Sequence, residues 1–389
     1  MVAYPEGWKE CSFKDTGIEV LKGQIITRAN ARTGKIPVIA GGKEPAYYCD
    51  KYNRDGTTIT ISASGANAGY VNLYGGKIFA SDCSTISEAT NYDIRYIYYL
   101  LLNKQNEIYD AQTGGAQPHI HPKDIYKLSI VYTSDVSEQQ AIASILSDFD
   151  EHINNLTKLI EKKKNIRDGA LEELLSGTSK LAGFDGEWVE KTLEDIAMPN
   201  GLVRGPFGGS LKKEVFVSKG NKVYEQRNAI YKSIKIGDYY ITDEKYNELS
   251  RFAVKEDDFI VSCSGTIGKI YKIPKQHKRG IINQALLKIS LDKTKCDLDY
   301  FYKYFEWDKF QDNIIDNTQG GAMKNLVGMD VFRKTLIRMP KDLDEQKAIA
   351  KIIIAMDEEI EALEIEKAKI EGIKEGAMDD LLTGRVRLK

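Results

Sequence analysis

The sequence predicts an α+β protein built twice: two globular mixed α/β heads separated by two long helices forming an antiparallel coiled coil, with an internal pseudo-two-fold repeat. Three observations predict this. Glu138 to Leu181 aligns without a gap on Glu345 to Leu388 at a constant offset of 207, with 18 of 44 positions identical. Both aligned segments carry a single apolar stripe at heptad spacing. Charge is also segregated: residues 138–177 sum to −3 and residues 345–384 to −6, against −2 for the whole chain, which leaves +7 on the remainder.

The repeat continues upstream in order. Trp8 matches Trp188 at offset 180, Ser62-x-Ser64-Gly65 matches Ser262-x-Ser264-Gly265 at offset 200, and Gly114-Gly115-Ala116 matches Gly320-Gly321-Ala322 at offset 206. A chain of 389 residues is too long for one compact core, and the repeat divides it at 1–136, 137–180, 181–343 and 344–389, alternately globular and helical.

The first helical stripe reads Ile142, Leu146, Phe149, Ile153, Leu156, Ile160, then Lys163 and Arg167, then Ala170 and Leu174. The second reads Ile349, Ile353, Met356, Ile360, Leu363, Lys367, Ile370, Lys374, Ala377 and Leu381. A narrow stripe on a long helix cannot be buried by its own turns, and the matching partner of similar length is the other copy. An antiparallel pair would place the heads at opposite ends of a rod ~58 Å long, at ~1.5 Å per residue. Ser137 and Asp344 are the expected N-caps, and Gly177 and Gly384 the expected C-terminal stops. Mid-helix Gly169 and Gly376 point to a close helix approach, a kink, or an inherited neutral position.

In the heads, Thr57 to Ser62, Lys77 to Ala80, Phe259 to Ser262 and Ala285 to Leu291 have strand character, while Asp93 to Leu102 and Leu298 to Phe305 read as helices. Their loops are rich in glycine, asparagine and cations. The first head carries Arg28, Arg32, Lys35, Lys43, Lys51 and Arg54 interleaved with Tyr47, Tyr48 and Tyr52. The second carries Arg204, Lys212, Lys213, Lys219, Lys222, Arg227, Lys232 and Lys235, then Lys269, Lys272, Lys275, Lys278 and Arg279. Cationic loops of this kind suit phosphate contacts on double-stranded DNA, with nearby side chains reaching base edges. Ser64 to Gly69 could form an amide-lined turn that places Asn67 toward a base, and Ser264-Gly265-Thr266-Ile267-Gly268-Lys269 recurs at the matching place with a lysine attached. A tight turn between strands explains these glycines equally well.

Other classes are excluded. Met1 to Glu10 has no basic region followed by an apolar run, and the longest apolar stretch is Tyr96 to Leu102, so neither a signal peptide nor a membrane span is expected. Five scattered cysteines, Cys11, Cys49, Cys83, Cys263 and Cys296, form no C-x-x-C pair, which fits a cytoplasmic location.

Glu-Gln-x-Ala-Ile-Ala followed by a heptad helix and Leu-Leu-[Ser/Thr]-Gly, occurring twice, resembles the conserved helical regions of the specificity subunit of Type I restriction-modification systems. Gly205-Pro206-Phe207-Gly208-Gly209-Ser210-Leu211-Lys212 is similar to a motif opening many target recognition domains of that family, and Gly-Gly-Ala-x-Pro at Gly114 to Pro118 resembles another near their end. The first head has only Lys22-Gly23 in place of Gly-Pro-Phe-Gly, and the second has Met323-Lys324 where the first has Gln117-Pro118. The resemblance implies two target recognition domains, each reading one half of a split, asymmetric DNA site. It implies helices that set the unread gap and dock two modification subunits through the seam residues. S-adenosylmethionine would be used by those partners and ATP by restriction subunits, with no cofactor in this chain.

A search for chemistry agrees that the chain is not itself an enzyme. There is no Pro-Pro pair for an adenine methyltransferase motif. Gly34-Lys35, Gly76-Lys77 and Gly268-Lys269 lack both the leading glycine and the following Ser/Thr of a P-loop. Four dispersed histidines, of which only His119 and His121 lie close, do not make a metal site. The expected DNA contacts are therefore Arg28, Arg32, Lys35, Lys43, Arg54, Ser64, Asn67, Arg204, Lys212, Lys213, Ser264, Thr266 and Lys269. The alternatives are a coiled-coil scaffold and a DNA-cleaving enzyme with unrecognised carboxylates.

Overall fold

The computed structural model describes residues 4–316 and 325–388. Gly320 to Ala322 and Met323-Lys324 lie outside the described residues. Two compact units result, Met1–Leu159 with Leu363–Lys389, and Ile160–Ala362, so each long helix contributes one part to each unit.

Within the first unit, strand Trp8–Ser12 pairs antiparallel with Ser129–Thr133. A four-stranded sheet runs in the order Leu21–Lys22, Cys83–Ser87, Thr58–Ser62, Val71–Tyr74, and a three-stranded one in the order Tyr47–Cys49, Ile36–Ile39, Phe79–Ala80. The second unit has the same plan. Trp188–Thr192 pairs with Leu336–Pro340, and Ala197–Arg204, Leu286–Leu291, Phe259–Ser262 and Ile270–Lys272 form the four-stranded sheet. Tyr240–Ile241, Asn221–Tyr224 and Gly280–Ile282 form the three-stranded one, with the last two parallel as in the first unit. Duplication therefore extends through both heads, where sequence identity is nearly lost.

The longest helix of each head among the described residues, Ile94–Asn103 or Leu298–Glu306, is capped by Asp93 or Asp297, whose carboxylates accept from the first free backbone amides. Tyr96 and Ile97 in the first unit, and Tyr300, Phe301 and Phe305 in the second, are buried faces of these helices in the unit's main core. That burial contributes ~1.5–3 kcal/mol per large side chain.

The long helices span Val136–Ser176 and Leu343–Leu382. Ile142 and Leu146 are fully buried and join the first head's core, where they meet Leu381 and Leu382. Ile349 and Ile353 join the second core with Leu174 and Leu175. Leu156 and Ile360 are buried, while Phe149, Ile153, Met356 and Leu363 are half-buried. The cationic break in the stripe has a structural cause. In the first unit Lys374 Nζ is 2.5 Å from Asp150 and His152 lies 3.9 Å from Glu366. In the second, Lys163 is 2.6 Å from Glu359 and Arg167 is 3.1 Å from Asp357.

Two details of these helices differ from expectation. The N-caps are Asp135 and Asp342, not Ser137 and Asp344. Asp135 Oδ1 accepts from Ser137 N at 2.9 Å and Asp342 Oδ1 from Asp344 N at 2.8 Å, so both helices begin two residues earlier than expected, where the backbone places these carboxylates against the first free amides. Gly169 and Gly376 do not mark a close approach: a Cβ at either would meet nothing within 4 Å. Alanine at each position should therefore stabilise its unit by about 1 kcal/mol through helix propensity alone, measurable by urea denaturation. A loss of stability instead would mean that glycine has a packing role there.

Candidate nucleic-acid interface

In each head a turn leaves an inner strand of the four-stranded sheet, Thr58–Ser62 or Phe259–Ser262. Gly69 N donates to Ser62 O at 2.7 Å in the first head, and Gly268 N to Ser262 O at 2.9 Å in the second. The second turn is tightened by Ser262 Oγ, which donates to Thr266 O at 2.6 Å and accepts from Lys269 N at 3.0 Å. Ser264, Gly265 and Thr266 are exposed at its tip. In the first head Ala66 is exposed, Asn67 is half-buried, and Ser64 Oγ donates to Asp82. The loop carrying Gly114 to Pro118 lies against this turn, since Gly65 N donates to Pro118 O at 3.0 Å.

Beside the turn ends the edge strand that carries Lys22-Gly23 or Arg204-Gly205. Gly23 N donates to Cys83 O and Gly205 N to Leu286 O, each at 2.8 Å. Glycine is required at both by close approach: a Cβ would stand 2.2 Å from Ser81 O or 1.8 Å from Asn283 O. Lys22-Gly23 is thus the structural counterpart of Arg204-Gly205, although the first head lacks the Pro-Phe-Gly that follows. In the second head Phe207 is 69% exposed and the Arg204 guanidinium lies 5.7 Å from its ring centroid.

A model of the family described as Type I restriction modification DNA specificity domain matches residues 5–166 and 186–375. The chain belongs to that family. It is 32% identical over 187 residues to a putative type I specificity subunit of Mycoplasma genitalium, a match covering 46% of this chain and about half (48%) of that relative. It is 25% identical to the Type I restriction enzyme MjaVIII specificity subunit of Methanocaldococcus jannaschii, covering 100% of this chain and 99% of that one. The crystal structure of a Type-I restriction-modification system S subunit from M. genitalium shares its fold, with a TM-score of 0.62 at 20% identity and 96% of each chain covered.

Across this specificity-domain protein the cations expected to meet DNA have different fates. Arg28, Arg32, Lys35 and Lys43 are exposed in the first head, Arg28 at 5.5 Å from the Tyr47 ring and Lys43 at 5.2 Å from Tyr70. Arg54 is used internally: its guanidinium donates to Thr85 Oγ1 at 2.9 Å, Asn53 O at 2.8 Å and Lys22 O at 3.3 Å. Lys212 and Lys213 are exposed. Lys269 borders a cavity of about 500 Å³ that Arg167, Lys303, Glu306 and Asp357 also line. Lys222 is 2% exposed and donates to Gly237 O at 2.7 Å, and burial pushes its ammonium below the usual lysine range. Lys232 pairs with Glu306 at 2.7 Å and Lys272 with Asp299 at 2.6 Å, so the second basic run offers fewer free cations than its length suggests.

Sequence reasoning missed Asp82 and Gln226. Neither has a local signal, because each is brought to the turn by a strand distant in the chain. His119 and His121 stack at 6.2 Å, and among the described residues no group of three or more His, Cys, Asp or Glu could hold a metal ion. Among the same residues no helix is long and apolar enough to cross a membrane. Burial pushes the Cys83 and Cys263 thiols up to about 12, which makes them inert packing groups.

Proposed function

We propose that this chain is the DNA sequence-specificity subunit of a cytoplasmic Type I restriction-modification complex, its two target recognition domains reading unlike halves of an asymmetric bipartite site. The observation that carries the reading is the family match in both halves, joined to heads of one topology whose turn-facing residues differ. The long helices form an antiparallel coiled coil that sets the unread gap. The ion pairs support this, since residue numbers rise on one helix as they fall on the other. Exposed faces of the same helices dock two modification subunits, with restriction subunits joining the assembly. This chain performs no bond chemistry; S-adenosylmethionine is used by the modification subunits and ATP by the restriction subunits.

The DNA contact begins with phosphates at the exposed cations, which orient the heads, and specificity comes from side chains at the turns. The test is to produce the chain with its modification subunits and map methylated adenines in host DNA. A two-part motif should appear only when the chain is present. Methylation that is absent, or unchanged by the chain, would reject the reading.

A further inference from the structure

Four chain segments meet at one end of the second head's sheet. Leu286–Leu291 pairs on one side with Ala197–Arg204, placing Arg204 opposite Leu287, and on the other with Phe259–Ser262, placing Ser262 opposite Leu286. Asn283 N donates to Tyr224 O at 2.9 Å, which brings Gln226, two residues on, to the same place. A Cβ at Gly265, in the exposed tip of the turn, would stand 3.8 Å from Gln226 Nε2. Arg204, at the end of its strand, and Gln226, opening the helix Gln226–Ile230, therefore flank the turn from two different segments.

Both side chains are incompletely satisfied. Arg204 Nε and Gln226 Oε1 are buried atoms, and among the described residues neither has a hydrogen-bond partner. A buried polar atom without a partner is costly, and such atoms are rare in folded proteins unless something else completes them. Arg54 shows the contrast, because each of its three guanidinium nitrogens donates a bond within the first head.

The first head has the same pit with different contents. Ser81 N donates to Ile39 O at 2.7 Å as Asn283 N does to Tyr224 O, so Gly41 stands where the second head has Gln226. A Cβ at Gly41 would lie 2.4 Å from Ser64 O, leaving no room for a side chain. Lys22 stands where the second head has Arg204, and Asp82, bonded to Ser64, follows Ser81 as Gln284 follows Asn283. One backbone frame thus presents a forked cation and an amide in one head, and a point cation and a carboxylate in the other.

We propose that this pit is where each head reads base edges, and that in the second head Arg204 reads a guanine and Gln226 an adenine. The inference rests on the DNA-reading function proposed above. A guanidinium fork matches guanine O6 and N7, and a carboxamide matches adenine N6 and N7 in the major groove. The exposed Phe207 ring lies beside Arg204, 5.7 Å from the guanidinium.

The test uses the full chain assembled with its modification subunits, comparing wild type, Arg204→Lys, Gln226→Leu and, as a surface-cation control, Lys212→Ala. Methylated motifs are read from host DNA, and preferred duplexes are selected from a pool randomised at each half-site. Wild type should require a guanine and an adenine in one half-site. Each pit variant should lose preference by roughly 10- to 100-fold at one of those two base pairs, with the other half-site and the gap unchanged. Lys212→Ala should weaken binding evenly across sequences. A variant that melts like wild type but loses methylation is decided by the selected pool, where a relaxed base supports the proposal and a retained one overturns it. Pit variants keeping every wild-type base preference within about twofold would refute base reading by Arg204 and Gln226 while leaving the specificity function standing. A wild-type assembly that selects no two-part motif would instead reject that function.

Discussion

Replacing Gln346 with leucine should destabilise the second unit by about 3 kcal/mol, and Gln139→Leu should do the same to the first. Both glutamines are fully buried. Gln346 Oε1 accepts from Asp297 N at 2.7 Å, and its Nε2 donates to Pro340 O at 2.8 Å. Gln139 accepts from Asp93 N at 2.8 Å and donates to Thr133 O at 2.8 Å. One side chain thus joins the start of a long helix to the cap of the head helix and to the end of a head strand. Leucine fills the volume but leaves a half-buried amide and a buried carbonyl without this partner, each costing about 1–3 kcal/mol. Hydrogen exchange should show the loss confined to the altered unit, because the two main cores share no residues. Equal stability of variant and wild type would mean that these bonds are replaced by water, and the tie between head and helix would lose its support.

Alanine at Gly177 or Gly384 is expected to cost about 2–4 kcal/mol, the reverse of its effect at Gly169 or Gly376 in the same helices. Both stop residues have φ of +71°, a left-handed conformation that side chains with a Cβ adopt at a cost. Space is the second obstacle: the Cβ would stand 2.7 Å from the Trp188 ring at Gly177 and 2.9 Å from the Trp8 ring at Gly384. Neither indole is free to retreat. Trp8 Nε1 donates to Glu138 at 3.0 Å and Trp188 Nε1 to Glu345 at 3.1 Å. Glu138 also holds Arg387, whose Nη2 is 2.9 Å away, so the first cluster gathers the start of one long helix and the segment following the other. Thermal melts of the four alanine variants should split into two lowered and two raised midpoints. A neutral result at Gly177 and Gly384 would show that the tryptophans shift without loss.

Much of the scaffold was legible because its rules are local. Helix stripes follow a short period, so Ile142, Leu146, Ile349 and Ile353 could be recognised as buried from spacing alone. Cap positions were less legible, since Asp135 and Ser137 both suit an N-cap and only backbone geometry chooses between them. The equivalence of Lys22-Gly23 with Arg204-Gly205 was only faintly legible, because the first head lacks the Pro-Phe-Gly that follows. What the two pairs share is a close backbone approach, which constrains glycine and little else. The reach of the cations was also illegible: Arg54 and Lys222 look like surface charges in the sequence, yet one is bonded within the head and the other is buried.

The sequence by itself determined that one unit is used twice, with seams, stops and Glu-Gln pairs repeated at a fixed offset, because these are patterns of neighbours a few residues apart. Only the tertiary structure decided that Arg204, Gln226 and the Ser264 turn gather at one end of the second head's sheet, and that Lys22, Gly41 and Asp82 gather at the matching end in the first. Strand pairing brings together residues tens of positions apart, and no local period encodes the register that does so.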